Sequence, residues 1–253
     1  MATYNKRGYK PKDKKQEVEQ LDSTTAEVFN TLDESASKSE QWIEKNSKPL
    51  FYGLLLVAGL ILSFLAYTKY VVEPTELEAS NELAFPKKYF DQANTASGAA
   101  IDSLLTLSLE GADGNYGFLD IATSYSSTKA GNIANYYAGV SYLKMKNYEQ
   151  AIAFLGDFSS TDVGLSPVAY GAIGDAFSGL EQYEDAITYY EKAAAYDNNF
   201  TAPLFLFKAA QLSMHAEDFS NAEKLFTQIQ KSYAASEQGR DIAKYINSAK
   251  YAQ

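Results

Sequence analysis

Two hydrophobic patterns divide the chain. From Leu50 to Thr68 the residues LFYGLLLVAGLILSFLAYT run for 19 positions without a charge, bracketed by Lys48 and Lys69. Apolar residues occupy every side of the helix this predicts, whereas a buried helix of a soluble protein keeps a polar stripe. At about 1.5 Å per residue the helix covers the roughly 30 Å hydrocarbon core of a bilayer. Beyond residue 130 the apolar positions fall at three-and-four spacing instead, and one phrase is stated three times. It reads Tyr148-Glu149-Gln150-Ala151-Ile152-Ala153-Phe154-Leu155, then Tyr183-Glu184-Asp185-Ala186-Ile187-Thr188-Tyr189-Tyr190, then Phe219-Ser220-Asn221-Ala222-Glu223-Lys224-Leu225-Phe226. Ala151, Ala186 and Ala222 are 35 and 36 residues apart. Periods of this length, without Gly/Pro-rich strand punctuation, predict paired helices that bury their apolar faces only against neighbouring pairs.

The residues filling the period sharpen this. Gly139 and Gly174 lie twelve before the repeated alanines, Tyr142 and Phe177 follow them by three, and Leu155, Tyr190 and Phe226 follow the alanines by four. The pattern resembles the tetratricopeptide repeat, a helix–turn–helix with small residues where its helices cross and aromatics in the facing pockets. The resemblance is strong over about 130–165 and 167–200. It is weaker over about 203–236, where Ala210 and Ser213 replace the expected glycine and aromatic. It implies an all-α solenoid of helical hairpins on a single N-terminal transmembrane helix.

The expected organisation has five parts: 1–49, a cytosolic basic tail and amphipathic segment; 50–69, a transmembrane signal-anchor helix; 70–130, a degenerate helical repeat and loop; 131–236, three tetratricopeptide repeats; 237–253, a capping helix. Within residues 16–48, Val18, Leu21, Val28, Phe29 and Leu32 fall near helical spacing. That suits either a weakly structured amphipathic helix or a short docking helix, and Trp42 stands where indole anchors at the headgroups. Glu78–Phe90 reads as a helix broken at Pro86, and 94–115 as a loop with a short helix around Ile101–Leu109. Tyr116–Tyr125 reads as a helix with Phe118, Leu119, Ile121, Ala122 and Tyr125 inward, and Ser126–Asn132 as a turn. At the other end Ile242, Tyr245, Ile246 and Ala249 share one helix face, as the polar-backed cap of an open array would.

Charge adds an orientation. Residues 1–49 hold nine Lys/Arg, six of them within Lys6–Lys15. By the positive-inside bias this tail stays in the cytoplasm and the repeats cross. No small-x-small cleavage site follows the apolar run, so the leader is expected to be retained. Residues 70–253 carry 12 basic and 23 acidic groups, a net charge near −11. Nothing there forms the basic stripe that nucleic acid requires, and no nucleic-acid partner is expected.

Candidate chemistry is sparse. The chain has no cysteine and one histidine, which excludes disulfides, thiol catalysis and Cys-type metal sites. His215 lies at a turn beside Glu217 and Asp218 with no neighbouring nucleophile. Gly111-Ala112-Asp113-Gly114-Asn115 lacks the ligand spacing and closing Glu of a calcium hand. Glu184/Asp185 and Glu217/Asp218 sit at helix starts, where acids favour the dipole. Asn199-Phe200-Thr201 matches a glycosylation sequon by chance. No cofactor, metal or small-molecule substrate is expected, and no enzyme activity.

A basic tail, one uncleaved span and an acidic envelope domain of few repeats together resemble the YfgM-type ancillary subunit of the bacterial Sec translocon. Residues Tyr116–Leu119, Thr128–Asn132 and Tyr137–Gly139 add to that likeness. The resemblance implies residence in the bacterial inner membrane, with the N-terminus cytoplasmic and the repeats periplasmic. It implies as partners Sec translocon subunits and a membrane-anchored periplasmic chaperone of the peptidyl-prolyl isomerase class. The first-helix positions that line the superfamily's concave groove fall here at Tyr136, Val140 and Lys144, then Gly171 and Asp175, then Phe207, Gln211 and Met214. The carboxylate-clamp subclass would hold Lys, Arg and Asn at several of these. The present set suits an apolar helix or extended segment. Inside the span Gly59 and Ser63 form a small-xxx-small pair that would let another helix approach. Two roles remain open: an adaptor beside the export channel, or a scaffold for another envelope assembly.

Overall fold

The structure is a computed structural model in which residues 37, 40–196 and 198–252 are described. The basic tail and most of the amphipathic segment within 16–48 lie outside them. The chain divides into two units, Met1–Leu65 and Ala66–Gln253.

In the first unit residues 40–45 are helical, and helix α1, Ser47–Tyr67, follows. The Asn46 amide closes the join by donating to the Trp42 carbonyl at 2.8 Å. None of the residues of α1 is buried. Among the described residues the helix that begins at Ser47 is the one long and apolar enough to cross a membrane.

The second unit is built of helical pairs. A π-helical turn, Thr68–Val72, leads into α2, Glu73–Glu82, where the Glu73 N–H donates to the Thr68 carbonyl. Pro74 explains the wide turn: it has no N–H, and its ring crowds the carbonyl four residues earlier. Helices α3, Ala84–Ala93, α4, Ala100–Glu110, and α5, Phe118–Ser124, come next. The break expected at Pro86 falls at Leu83 instead. Pro86 lies buried in the first turn of α3, where its missing N–H has no intrahelical partner to lose. The 94–115 segment holds an eleven-residue helix, α4, whose Leu105 and Leu109 join Phe90, Phe118, Ile121, Ala134 and Ala138 in one cluster. The Gly111–Asn115 stretch is a tight reversal with positive φ at Gly111, Asp113 and Gly114.

The periodic region forms three helical hairpins: α6, Lys129–Lys144, with α7, Tyr148–Asp157; α8, Leu165–Gly179, with α9, Tyr183–Ala194; α10, Thr201–His215, with α11, Phe219–Ser232. Helix α12, Ile242–Ala252, packs on α11. Each hairpin turns through one residue at φ 60°: Lys146, Glu181 and Glu217. The following N–H then reaches back five residues, Asn147 to Tyr142 (2.9 Å), Gln182 to Phe177 (2.9 Å) and Asp218 to Ser213 (2.8 Å). This is a Schellman-type closure, which satisfies carbonyls that the helix end would leave open. The third hairpin shares it despite its divergent sequence.

The glycines show why the helices cross where they do. A methyl at Gly139 would stand 2.5 Å from Cγ of Leu155, and one at Gly174 would stand 2.7 Å from the Tyr190 ring. Leu155 and Tyr190 are the residues four beyond the repeated alanines, so this contact is the one the spacing implied. In the third hairpin Ala210 is fully buried and Phe226 takes the aromatic place.

Glu76 ties α2 to the array. Its carboxylate accepts from the backbone N–H of Lys129 at 2.9 Å and of Ala130 at 3.3 Å, capping α6 from 53 residues away. A carboxylate at a helix N-terminus satisfies orphan donors and opposes the positive end of the dipole. The Thr128 hydroxyl accepts from Gly131 at 2.9 Å and completes the cap.

Candidate partner-binding surface

Helices α6, α8 and α10 lie in order, α8 touching α6 on one side and α10 on the other. The eight repeat positions named from the sequence all fall on these three helices, but the structure gives them different tasks. Tyr136 is half-buried between the Tyr137 ring (centroids 5.6 Å) and the Phe158 ring (5.3 Å). Burial, with the neighbouring Tyr137, pushes its hydroxyl above the ordinary phenol value. Val140 is partly buried where the front and middle clusters meet. Lys144 is exposed in the last turn of α6. Phe207 packs on Phe226 (5.7 Å) and edge-on to Tyr245 of α12 (4.9 Å). Met214 is partly buried against the same cluster, and Gln211 is exposed. Gly59 and Ser63 are exposed on α1, and nothing lies within 4 Å of where a Gly59 methyl would stand.

Asp175 is the organising residue. The Tyr190 hydroxyl donates to its carboxylate at 2.5 Å, and the Lys208 ammonium lies 2.6 Å from the same oxygen. One carboxylate thereby joins α8, α9 and α10. Lys208 also stands over the Tyr190 ring (5.5 Å) and the Phe205 ring (5.9 Å). Both members of the ion pair remain about one-third exposed, so water screens their attraction and the pair adds modestly to stability. Burial, then the bond to Asp175, drives the Tyr190 phenol far above its usual value. Gly171 is small because the Phe205 ring fills the space where its methyl would be.

Neither Lys208 nor Tyr190 was named from the sequence as part of this surface. Their signal was present. Lys208 follows Asp175 by 33, just under one period, which sets the two on facing sides of adjacent first helices. Tyr190 was visible only as a packing aromatic, and its hydroxyl partner is set by how α8 crosses α9.

A second recurring contact runs along the turn edge. The Tyr148 ring lies where a side chain at Gly179 would go, and Tyr183 meets His215 edge-on at 4.9 Å. The first residue of α7 and of α9 thus lies against the end of the next hairpin's first helix. His215 is engaged in packing. Among the described residues no group of three His, Asp or Glu side chains is placed to hold a metal.

Family models of the tetratricopeptide repeat match residues 134–160 and 167–200. The chain carries tetratricopeptide repeats. Those two matches coincide with the α6–α7 and α8–α9 hairpins, whose crossing glycines and turn geometry are described above. Among curated proteins none matches the chain. Tetratricopeptide arrays are protein–protein interaction modules, generally non-catalytic, and their repeat motif specifies fold far more than partner.

Proposed function

We propose that the chain is a membrane-anchored adaptor whose tetratricopeptide repeats hold another protein beside the Sec translocon. In this reading α1 spans the bacterial inner membrane, the basic tail stays in the cytoplasm and the repeats lie in the periplasm. There they position a membrane-anchored chaperone of the peptidyl-prolyl isomerase class, or an emerging client. The observation that carries the reading is the union in one chain of repeat hairpins with an apolar helix that buries none of its side chains in the protein. A helix of that composition is stable only with lipid or another apolar helix around it. The Gly59/Ser63 face is the proposed approach for a neighbouring span.

The partner is placed on the first-helix surface. The exposed members Lys144 and Gln211, with the part-exposed Asp175–Lys208 pair, supply its polar contacts, and Val140 and Val168 its apolar ones. Tyr136, Phe207 and Met214 lie beneath, shaping the floor.

Affinity purification of the full chain in mild detergent tests the reading. Recovery of channel subunits supports it. Their absence, with enrichment of a different envelope complex, rejects it in favour of a scaffold for that assembly. Lys144→Ala with Gln211→Ala is expected to reduce partner cross-linking without changing the helical spectrum; an unchanged yield removes this surface from the account.

A further inference from the structure

The loops between hairpins carry apolar side chains that the fold does not use. Phe200, between α9 and α10, is 83% exposed, and Val163, in the preceding inter-hairpin loop, is 60% exposed. One side chain braces the two loops together. The Asn198 side chain accepts from the N–H groups of Phe200 (2.9 Å) and Thr201 (3.1 Å) and donates to the Val163 carbonyl at 3.0 Å. A ring held outward in this way has already given up backbone freedom that binding would otherwise remove.

Directly beside it, Asn199 forms one wall of a recess of about 360 Å³. The other walls are Ser232, Tyr233, Ala234, Ala235 and Ser236. They are small side chains with one aromatic, which leaves room for a phenyl ring. Phe200 does not enter the recess of its own chain, as its exposure shows. A projecting ring and a fitting recess therefore share one patch of surface. A two-fold contact between identical subunits requires this arrangement, because the same patch must serve as both halves.

The geometry points to a two-fold contact between two copies of this chain, in which Phe200 of each enters the other's Ser232–Ser236 recess. Val163 packs at the rim. A second copy is favoured over a different polypeptide because the complement of the exposed ring lies on the same face. The contact is independent of the translocon reading and stands if that reading fails.

The chain contains no cysteine, so introduced thiols report contacts without background. Full-length chains carrying Asn199→Cys are mixed in detergent micelles with full-length chains carrying Ala235→Cys and oxidised. A disulfide-linked dimer between the two variants is the expected result. Phe200→Asp in both chains should lower its yield by at least about tenfold, since a ring is lost from each of two recesses. Ala234→Trp, which fills the recess from its own side, should do the same. Circular dichroism checks that both variants stay folded. Absence of the cross-link, or a yield indifferent to Phe200→Asp and Ala234→Trp, overturns the proposal. So does a photo-reactive residue at position 200 that captures a different polypeptide in membranes and no second copy.

Discussion

Gly174 sets helix propensity against tertiary packing, with magnitudes large enough to decide between them. Replacing a mid-helix glycine by alanine stabilises an isolated helix by about 0.8–1 kcal/mol. At Gly174 the new methyl would stand 2.7 Å from Cδ1 and Cε1 of Tyr190 and 3.2 Å from its Cγ. That ring cannot turn aside freely. It is almost fully buried, stacks on Phe205 with centroids 6.2 Å apart, and is held by its hydroxyl's bond to Asp175. Overpacking costs about 1–3 kcal/mol, and loss of a hydrogen bond to a carboxylate adds about 1.5–3 if the ring is displaced. The propensity gain is overwhelmed, and Gly174→Ala should destabilise by about 1–3 kcal/mol net. Gly156, in the last turn of α7, is the control, because nothing lies within 4 Å of its added methyl. Gly156→Ala should therefore keep part of the gain. For a unit of this size 1 kcal/mol moves Tm by about 2–4 °C. Thermal unfolding of the full chain in micelles, followed by far-UV circular dichroism, should show Gly174→Ala melting about 3–10 °C lower and Gly156→Ala slightly higher. If the two variants shifted Tm in the same direction, the crossing-glycine argument would be wrong.

Other outcomes follow from the same geometry. Glu76→Ala removes the distant cap of α6 and should cost about 0.5–2 kcal/mol, read as a lower Tm and faster amide exchange at Lys129 and Ala130. Glu181→Gly, at a hairpin residue with φ 60°, relieves left-handed strain and should stabilise by a few tenths to about 1 kcal/mol; a loss of stability would contradict the turn geometry. The Tyr190 phenol is raised in the fold, so the stability it contributes is full below the ordinary phenol value near 10 and is lost as pH rises beyond it. Tm should fall above about pH 10, and Tyr190→Phe should fall less steeply there while melting lower at neutral pH. An identical alkaline slope in the two proteins would remove Tyr190 as a cause. The Asp162 carboxylate, bonded by the N–H groups of Leu165 (2.7 Å) and Gly164 (2.8 Å), is lowered in the fold, so its contribution is present above the ordinary carboxylate value and lost in acid. Asp162→Asn should flatten the acid limb of Tm against pH.

Much of the fold was legible because its information is local and periodic. Ala151, Ala186 and Ala222 mark the second helices, and Gly139 and Gly174 mark the crossings. A 3.6-residue stripe read with a 35-residue period leaves little choice of architecture. The front of the second unit was less legible. Ser103, Thr106 and Ser108 interrupt the apolar pattern of α4, yet the Ser108 hydroxyl bonds the Leu105 carbonyl at 2.7 Å and is buried inside the helix. Polar residues that satisfy themselves locally break a hydropathy pattern without breaking a helix.

Sequence by itself determined the helical hairpins, their period and the charge-free helix near the N-terminus, since each rests on the spacing or run of apolar side chains along one segment. Tertiary structure alone decided three things. It packed Phe207 against α12 and Met214 against the same cluster, it gathered Tyr190 and Lys208 on Asp175, and it brought Glu76 onto the start of α6. Each depends on how separate helices cross and on which polar groups then lack water. Such contacts join residues 15 to 54 positions apart, and the spacing of apolar residues along the chain does not fix which polar groups meet.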